Sequence, residues 1–208
     1  MGKSLIIKRL HHAALNYKKH FIGNTYMFVF DNQYIEVQFK KSSFLHLTGV
    51  NTKLNATDFL NHSLAHKGLK PNEIFFDKLH PYDLANKKTA ILDKLHRITS
   101  TDILIAKNIS TLTFTYKIGL TDLEFVVCLG NDTDRRGNII YNHFIPYSFR
   151  VEEIKNEKFG ELCEVTHILK KQTGMKKYNI LTYGNADTLI ELPIEIIEKI
   201  ELGTVNSI

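Results

Sequence analysis

The 208-residue sequence predicts an α+β fold in which an N-terminal helix and further helices pack on a mainly antiparallel sheet. Apolar residues recur at helical spacing near the N-terminus and again at about residues 84–98. The chain after residue 100 instead contains short apolar runs separated by turn signals. Because these connections are too short for crossover helices, we expect antiparallel pairing. We also expect one domain over residues 1–208.

The first elements are a helix and a hairpin. Apolar residues at helical spacing extend from about residue 5 to residue 21, and basic residues occupy the other face of this helix. Two apolar runs follow at 26–30 and 34–40. The short polar segment Asp31-Asn32-Gln33 between them predicts a β-hairpin.

The next segment, Phe44-Leu45-His46-Leu47-Thr48-Gly49-Val50, is the most informative part of the sequence. We interpret it as a strand, in which residues two apart share a face. His46 and Thr48 then point the same way, while the leucines anchor the backbone in the core. This interpretation places an imidazole and a hydroxyl side by side on one face.

The remaining elements follow from capping and turn residues. Capping residues at 55–58 precede a short helix that ends near Gly68, and a longer helix covers about residues 84–98. Four strands are expected at 102–106, 112–118, 123–129 and 139–149. A helix or strand at 163–170, a strand at 178–183 and a terminal helix at 194–200 complete the prediction.

Charge and composition restrict the class of protein. The net charge is +5, the isoelectric point is near 9.0 and there are ten histidines, which together favour a polyanion such as RNA as partner. We find neither a signal-peptide core nor an apolar run of membrane-spanning length, so we expect a cytoplasmic protein with no membrane partner. Cys128 and Cys163 lack metal-ligand spacing, and we expect no metal ion or other cofactor.

His46 is the leading catalytic candidate. Histidine titrates near working pH, so it can take a proton from a 2′-hydroxyl of RNA or give one to a leaving 5′-oxygen. A lone histidine among leucines is equally often a partly buried structural residue, and both interpretations stay open at this point. His143 shares one face of a predicted strand with Tyr141 and Tyr147. Because this face fits a sheet core as well as base stacking, His143 is only a second-rank acid. Tyr147 is a candidate for stacking on a base.

Paired arginines in one loop are candidate phosphate ligands. Arg135 and Arg136 can clamp a phosphate through bidentate hydrogen bonds. Asp132 and Asp134 in the same loop can instead neutralise them, which would make the loop an ordinary surface turn.

Two further pairs lie on predicted helices. Lys87 and Lys88 occupy the polar side of the helix at 84–98, where they can contact either phosphate or solvent. His62 and His66 have the i, i+4 spacing that can bind zinc, but no glutamate or cysteine nearby completes a ligand set.

Three segments of the chain carry a family resemblance. They are the stretch Phe44-Leu45-His46-Leu47-Thr48-Gly49, the strand Asp102-Ile103-Leu104-Ile105 after a lysine-rich helix, and the strand end Phe144-Ile145-Pro146-Tyr147-Ser148. Together they resemble the phage barnase-EndoU-colicin-RelE-like nuclease group. The resemblance implies a small metal-independent ribonuclease fold of phage or toxin and conflict systems, with a core at about 5–150 and a C-terminal elaboration at 151–208. It also implies His46, Thr48 and Ser148 as site residues.

The leading hypothesis is therefore a metal-independent RNA endonuclease that cleaves by 2′-hydroxyl transesterification. The first alternative is a non-enzymatic binding or inhibitor protein. Besides RNA, the expected partners of the chain are a protein inhibitor or a host protein target. The second alternative is an enzyme similar to ADP-ribosyltransferases, because a strand histidine followed two residues later by threonine resembles a cofactor contact of that class. Tyr147 and either Glu161 or Glu164 are its further candidates.

Overall fold

The structure, a computed structural model, describes residues 2–110, 115–151 and 160–201 and the backbone of 206–207. It has the predicted α+β architecture. The helices are α1 (Gly2–His20), α2 (Ser43–Thr48), α3 (Ala56–Leu64), α4 (Tyr82–Ile91) and α5 (Ile194–Ile197), with 3-10 helices at Leu92–Thr99 and Ala186–Glu191. In the described part of the chain, no helix is both long and apolar enough to cross a membrane.

Ten strands form the large sheet, and two short strands, β3 (Asn51–Thr52) and β4 (Ile74–Phe75), pair separately. The ten are β1 (Asn24–Phe30), β2 (Gln33–Gln38), β5 (Leu104–Ser110), β6 (Thr115–Thr121), β7 (Val126–Thr133), β8 (Ile139–Arg150), β9 (Glu161–Glu164), β10 (His167–Gln172), β11 (Ile180–Tyr183) and β12 (Asn206–Ser207). Their order is β12-β11-β10-β1-β2-β8-β7-β6-β5-β9.

The predicted hairpin and the predicted β region are confirmed. β1 pairs antiparallel with β2, and β5 to β8 form an antiparallel meander. Residues 112–114 of one predicted strand lie outside the described residues. The segment at 163–170, predicted as a helix or a strand, consists of parts of two strands. Two pairings are parallel, β2 with β8 and β11 with β12.

The sheet curls because consecutive strands β9 and β10 pair with different partners. β9 pairs with β5, whereas β10 pairs with β1. Between them, Val165 donates its amide hydrogen to the carbonyl of Ile103, and Thr166 donates to that of Val29. The chain thus passes from one part of the sheet to another within two residues. The ends of β1 and β5 come close as a result, and the Lys107 ammonium lies 5.6 Å from the ring centroid of Phe30.

Helices α1 to α4 cover one face of the sheet and form the main core with it, whereas α5 and the 3-10 helix Ala186–Glu191 pack on the other face. Tyr17 of α1, Phe28 of β1 and Phe44 of α2 are at most 1% exposed. Phe21 and Phe39 stack with their ring centroids 4.1 Å apart. Burial of one such side chain stabilises the fold by about 1.5–3 kcal/mol, so these aromatic contacts fix the helices against the sheet.

The His46 segment is a helix, so its prediction as a strand is wrong. Phe44 and Leu47, three residues apart, are both buried, which is the spacing of a helix face. Gly49 has φ +73° and ends α2 in the left-handed conformation that glycine adopts without strain. The single apolar–polar alternation Leu45-His46-Leu47 was too short to distinguish a strand from a turn and a half of helix.

Candidate active site

His46 lies on the exposed side of α2 and faces an aromatic ring of β8. Its imidazole is parallel to the phenol ring of Tyr147, with an interplanar angle of 2° and a centroid separation of 6.0 Å. Within the described residues, neither ring nitrogen makes a hydrogen bond. Partial loss of water around the ring lowers the pKa of His46 below its usual value, so the neutral, proton-accepting form is favoured. The ring is thus partly shielded from water but, among the described residues, forms none of the hydrogen bonds that would make it a satisfied structural histidine, and its catalytic role stays a prediction.

Tyr147 reaches His46 because β8 carries a bulge. Pro146 pairs with Leu129 and Ser148 pairs with Cys128, which leaves Tyr147 as the extra residue of the strand. A bulge redirects the side chain of its extra residue. The side chain is 57% exposed, and in the described part of the chain its hydroxyl has no hydrogen-bond partner.

The neighbours of Tyr147 leave room for the ring. Gly130 lies beneath it, and a Cβ atom at Gly130 would lie 3.2 Å from Tyr147 Cδ2. The ring of Tyr116 is 6.3 Å away on another side. The site therefore combines His46, Tyr147 and a second tyrosine on one surface.

Two of the hydroxyls expected at the site are enclosed. Thr48 is fully buried; its Oγ1 donates to the carbonyl oxygen of Leu45 at 2.8 Å and accepts from the amide of Val50 at 3.3 Å. Because the segment is a helix, Thr48 does not share the face of His46. Ser148 is 8% exposed and lies opposite Cys128 in the β7–β8 ladder. Thr48 thus closes the end of α2 and holds no substrate-facing position.

His143 lies four residues before Tyr147 on β8, about 13 Å away between Cα atoms for an extended strand. It pairs with Glu36 of β2, and its Nε2 is 3.5 Å from Glu36 Oε2. The imidazole is partly exposed, whereas the carboxylate is 2% exposed. A buried carboxylate beside an imidazole fixes the orientation of the ring. The structure therefore places His143 at a different point of β8 from Tyr147, the neighbour of His46 on α2.

Glu36 is the centre of a polar cluster beneath the sheet. Lys199 Nζ lies 2.8 Å from Oε1, and Tyr178 donates its hydroxyl to Oε2 at 2.8 Å. Lys171 Nζ is 3.5 Å from the same Oε2. Burial raises the pKa of Glu36, but Lys199, Tyr178 and Lys171 outweigh burial, so the pKa lies below its usual value.

This cluster has a surplus of positive charge. Two ammonium groups, from Lys171 and Lys199, face the single carboxylate of Glu36. The Lys171 ammonium also lies 4.3 Å from the ring centroid of Tyr178. An anion near His143 would therefore meet a net positive field.

The arginine loop is a tight turn held by its own aspartate. Asp134 accepts hydrogen bonds from the backbone amides of Arg136 and Asn138. Asp132 is buried and forms an ion pair with Lys40. Neither aspartate neutralises a guanidinium group, and both arginines are exposed at the end of the β7–β8 hairpin.

The two predicted lysines of α4 have different surroundings. Lys87 is exposed, whereas Lys88 is 5% exposed. The Lys88 stem packs on Gly49, and a Cβ atom at Gly49 would lie 2.9 Å from Lys88 Cδ. The fold thus brings Lys88, but not Lys87, to the end of the helix that carries His46.

One group of side chains has the spacing of a metal site. Ligand atoms of Asp31, Glu161 and Cys163 lie within 4.8 Å of one another. Lys107 Nζ, however, is 3.1 Å from Glu161 and 3.9 Å from Asp31. Burial, with the nearby carboxylates, raises the pKa of Cys163 to about 11, so its thiol stays protonated near neutral pH. Competition from Lys107 and a neutral thiol disfavour a cation here.

The family of the chain is decided by comparison with known proteins. A family model described as phage-Barnase-EndoU-ColicinE5/D-RelE like nuclease4 matches residues 9–187. The chain belongs to this family. Neither the curated proteins nor the solved structures include a match. Membership in the phage-Barnase-EndoU-ColicinE5/D-RelE like nuclease4 family supports a nuclease in general, and two of the segments that carried the resemblance, around His46 and Tyr147, pack together.

Sequence reasoning missed the cluster around Glu36. Its members come from β2, β8, β10 and the C-terminal segment, so no local motif connects them. A weak signal was present, because Glu36 is an acidic residue between two core residues, Ile35 and Val37. Alternation with Ile35 and Val37 is also the pattern of an ordinary strand with one solvated face, so it does not single out Glu36.

Proposed function

We propose that the protein is a metal-independent RNA endonuclease and that His46 and Tyr147 form its catalytic pair. The observation that carries this proposal is their juxtaposition on an exposed surface at a centroid separation of 6.0 Å. Each presents a proton-transferring group that makes no hydrogen bond within the described residues. Imidazole and phenol are both known as general acids or bases in enzymes.

The reaction that suits this pair is internal transesterification. His46 accepts the proton of a 2′-hydroxyl, and the oxygen attacks the adjacent phosphorus. The bond from phosphorus to the 5′-oxygen breaks as Tyr147 donates its proton to that oxygen. Solvent then returns a proton to Tyr147 and removes the one held by His46. The products are a 2′,3′-cyclic phosphate and a 5′-hydroxyl.

The surrounding charge supports an RNA substrate. The chain carries a net charge of +5, and Arg135 and Arg136 present guanidinium groups that pair with no carboxylate among the described residues. Exposed tyrosines beside cations suit stacking on unpaired bases together with phosphate contacts. Tyr147 and Tyr141, 57% and 83% exposed, provide such rings along β8.

The ADP-ribosyltransferase alternative loses its structural basis. It required a strand that carries His46 and Thr48 on one face, and this segment is the helix α2. Thr48 is buried, so it offers no hydroxyl to a cofactor ribose.

The proposal is tested with fluorescently labelled single-stranded RNA in the presence of EDTA. Wild-type protein is expected to cleave it, and His46→Ala is expected not to. His66→Ala is the matched control, because His66 is exposed just after α3. No cleavage by the wild type, together with a stoichiometric protein partner on purification, would favour the non-enzymatic inhibitor instead.

A further inference from the structure

We infer that the cavity beside His143 binds one unpaired nucleobase of an RNA strand, and that the adjoining phosphate lies against Lys199 and Lys171. The inference rests on the proposed function, because it names the substrate subsite of the same nuclease. It concerns a place on β8 distinct from the pair formed by His46 and Tyr147.

The cavity results from the curled sheet. It has a volume of about 620 Å³ and lies between the β1–β2 turn, the facing parts of β5 and β6, the start of β8, and the C-terminal residues 193–196. β2 and β8 pair only at Glu36–His143 and Val37–Phe144. Beyond that point the two strands separate, and the opening between them is part of the cavity.

Side-chain amides dominate the polar part of the lining. Five come from asparagine and glutamine, namely Asn32, Gln33, Asn108, Asn131 and Asn142. An amide has both a donor and an acceptor, which matches the mixed edges of a nucleobase. The aromatic rings of Phe30, Tyr34, Tyr141 and Phe144 also line the cavity and suit stacking on a base.

Three of these asparagines have left-handed backbones. The φ angles are +56° for Asn32, +52° for Asn108 and +57° for Asn142. Asn108 and Asn142 lie inside strands, where such a residue interrupts the regular alternation of side chains. Asn32, Asn108 and Asn142 thus come from three separate parts of the chain, and each contributes an amide to the lining of the same cavity.

The charges near the cavity distinguish a base from a phosphate as the occupant. Of the two lysines in the lining, Lys107 is paired with Glu161 and Asp31. The second lysine, Lys117, is matched in charge by the carboxylate of Glu195 in the same lining. A phosphate is therefore poorly placed inside the cavity, whereas a neutral base is not.

The surplus positive charge lies at the edge of the cavity. Tyr34, which lines it, has its ring centroid 5.0 Å from the Lys199 ammonium. Tyr34 lies two residues before Glu36 on β2, so these two side chains share one face of the sheet. A nucleotide with its base in the cavity can thus place its phosphate at His143 and the two lysines.

The test measures binding of the four 3′-nucleoside monophosphates and of inorganic phosphate to the full chain by NMR titration. At least one nucleotide is expected to bind about tenfold more tightly than phosphate, since the base adds stacking and hydrogen bonds. Asn142→Gly removes the amide and keeps the left-handed backbone available, so it is expected to weaken that nucleotide about tenfold and leave phosphate unchanged. Lys199→Met is expected to weaken both ligands.

Asn61→Ala, on the exposed side of α3, is the control. Equal affinity for phosphate and all four nucleotides, or unchanged nucleotide binding in Asn142→Gly, would overturn the inference. His46→Ala is expected to keep nucleotide binding intact. Loss of cleavage with retained binding therefore separates the two proposals, and nucleotide binding without any RNA cleavage would contradict the proposed function alone.

Discussion

The imidazole of His46 and the phenol ring of Tyr147 lie parallel, with an interplanar angle of 2° and a centroid separation of 6.0 Å. One ring stands on a helix of only six residues, and the other on the extra residue of a strand bulge. Neither position is required for the core, since both side chains are exposed. The proposed catalytic pair rests on this arrangement.

Replacement of His46 by alanine is expected to lower kcat for RNA cleavage by about 10²–10⁴-fold, the usual contribution of a general base. The melting temperature should change little, because the side chain is exposed. Both quantities are measured on His46→Ala and on the control His66→Ala. Equal activity of the two variants would contradict the role of His46.

The pH dependence of cleavage follows from the sign of the His46 shift. The pKa of His46 lies below its usual 6.5, and only the neutral imidazole accepts a proton. The value of kcat/KM should hold down to about pH 6.5 and fall as the pH drops further through the lowered pKa. A pH–rate profile between pH 4.5 and 8, in about half-unit steps, measures this limb. An acidic limb unchanged in His46→Ala would assign it to another group.

Two substitutions distinguish the contribution of the Tyr147 hydroxyl to cleavage from the contribution of its ring. Tyr147→Phe keeps the ring and should lower kcat by about 10²-fold with little change in KM, because the proton donor is lost. Tyr147→Ala should in addition raise KM, since stacking on a base contributes about 1–3 kcal/mol. Steady-state kinetics on one RNA substrate distinguish the two. A Phe variant as active as the wild type would leave Tyr147 with stacking alone.

Glu36 is expected to stabilise the fold as well as the positions of Lys171 and Lys199. Glu36→Gln leaves Lys199 and Lys171 without their buried carboxylate and should cost about 3 kcal/mol of unfolding free energy. Denaturant unfolding measures the loss, with exposed Glu198→Gln as the control.

The pH dependence of stability has a defined sign at Glu36. Its pKa in the folded state is below the usual 4.5, so the unfolded chain binds the proton more tightly. The stabilisation is complete above about pH 4.5 and is lost as the pH falls through the lowered pKa. This part of the acid sensitivity should be missing from Glu36→Gln. Parallel stability curves for the two proteins would exclude Glu36 as its source.

The paired arginines should act through phosphate contacts. For single-stranded nucleic acid, each contact changes the slope of log K against log salt by about 0.7. Replacement of both Arg135 and Arg136 by alanine should therefore reduce that slope by about 1.4 and weaken RNA binding at low salt. Binding isotherms at several salt concentrations measure the slope. The same slope in wild type and variant would show that neither Arg135 nor Arg136 contacts an RNA phosphate.

The elements that the sequence predicted well are those with long or repeated patterns. Helix α1 and the meander β5 to β8 extend over enough residues for their periodicity to be distinctive. The His46 segment failed because Leu45-His46-Leu47 alternates like a strand, although Phe44 and Leu47 are spaced for a helix and Gly49 can end one. A six-residue helix carries too little pattern to decide between them.

The candidate site was predictable only in part. His46 and Tyr147 were both identified as chemically useful, but their contact depends on a bulge opposite Cys128 and Leu129. A bulge reflects the register of two strands, which no local pattern of β8 contains. Glu36 was missed for a related reason, since its partners are distant in the chain and only His143 reaches it through the parallel pairing of β2 with β8.

The most direct test of the account uses an RNA that carries a single 2′-deoxy substitution at the mapped cleavage position, compared with the all-ribose RNA in EDTA. Wild-type protein should cut the all-ribose strand to a 2′,3′-cyclic phosphate and should leave the substituted position uncut, because the internal nucleophile is missing. Cleavage at the substituted position, or a product that ends in a 5′-phosphate, would contradict transesterification by His46 and Tyr147.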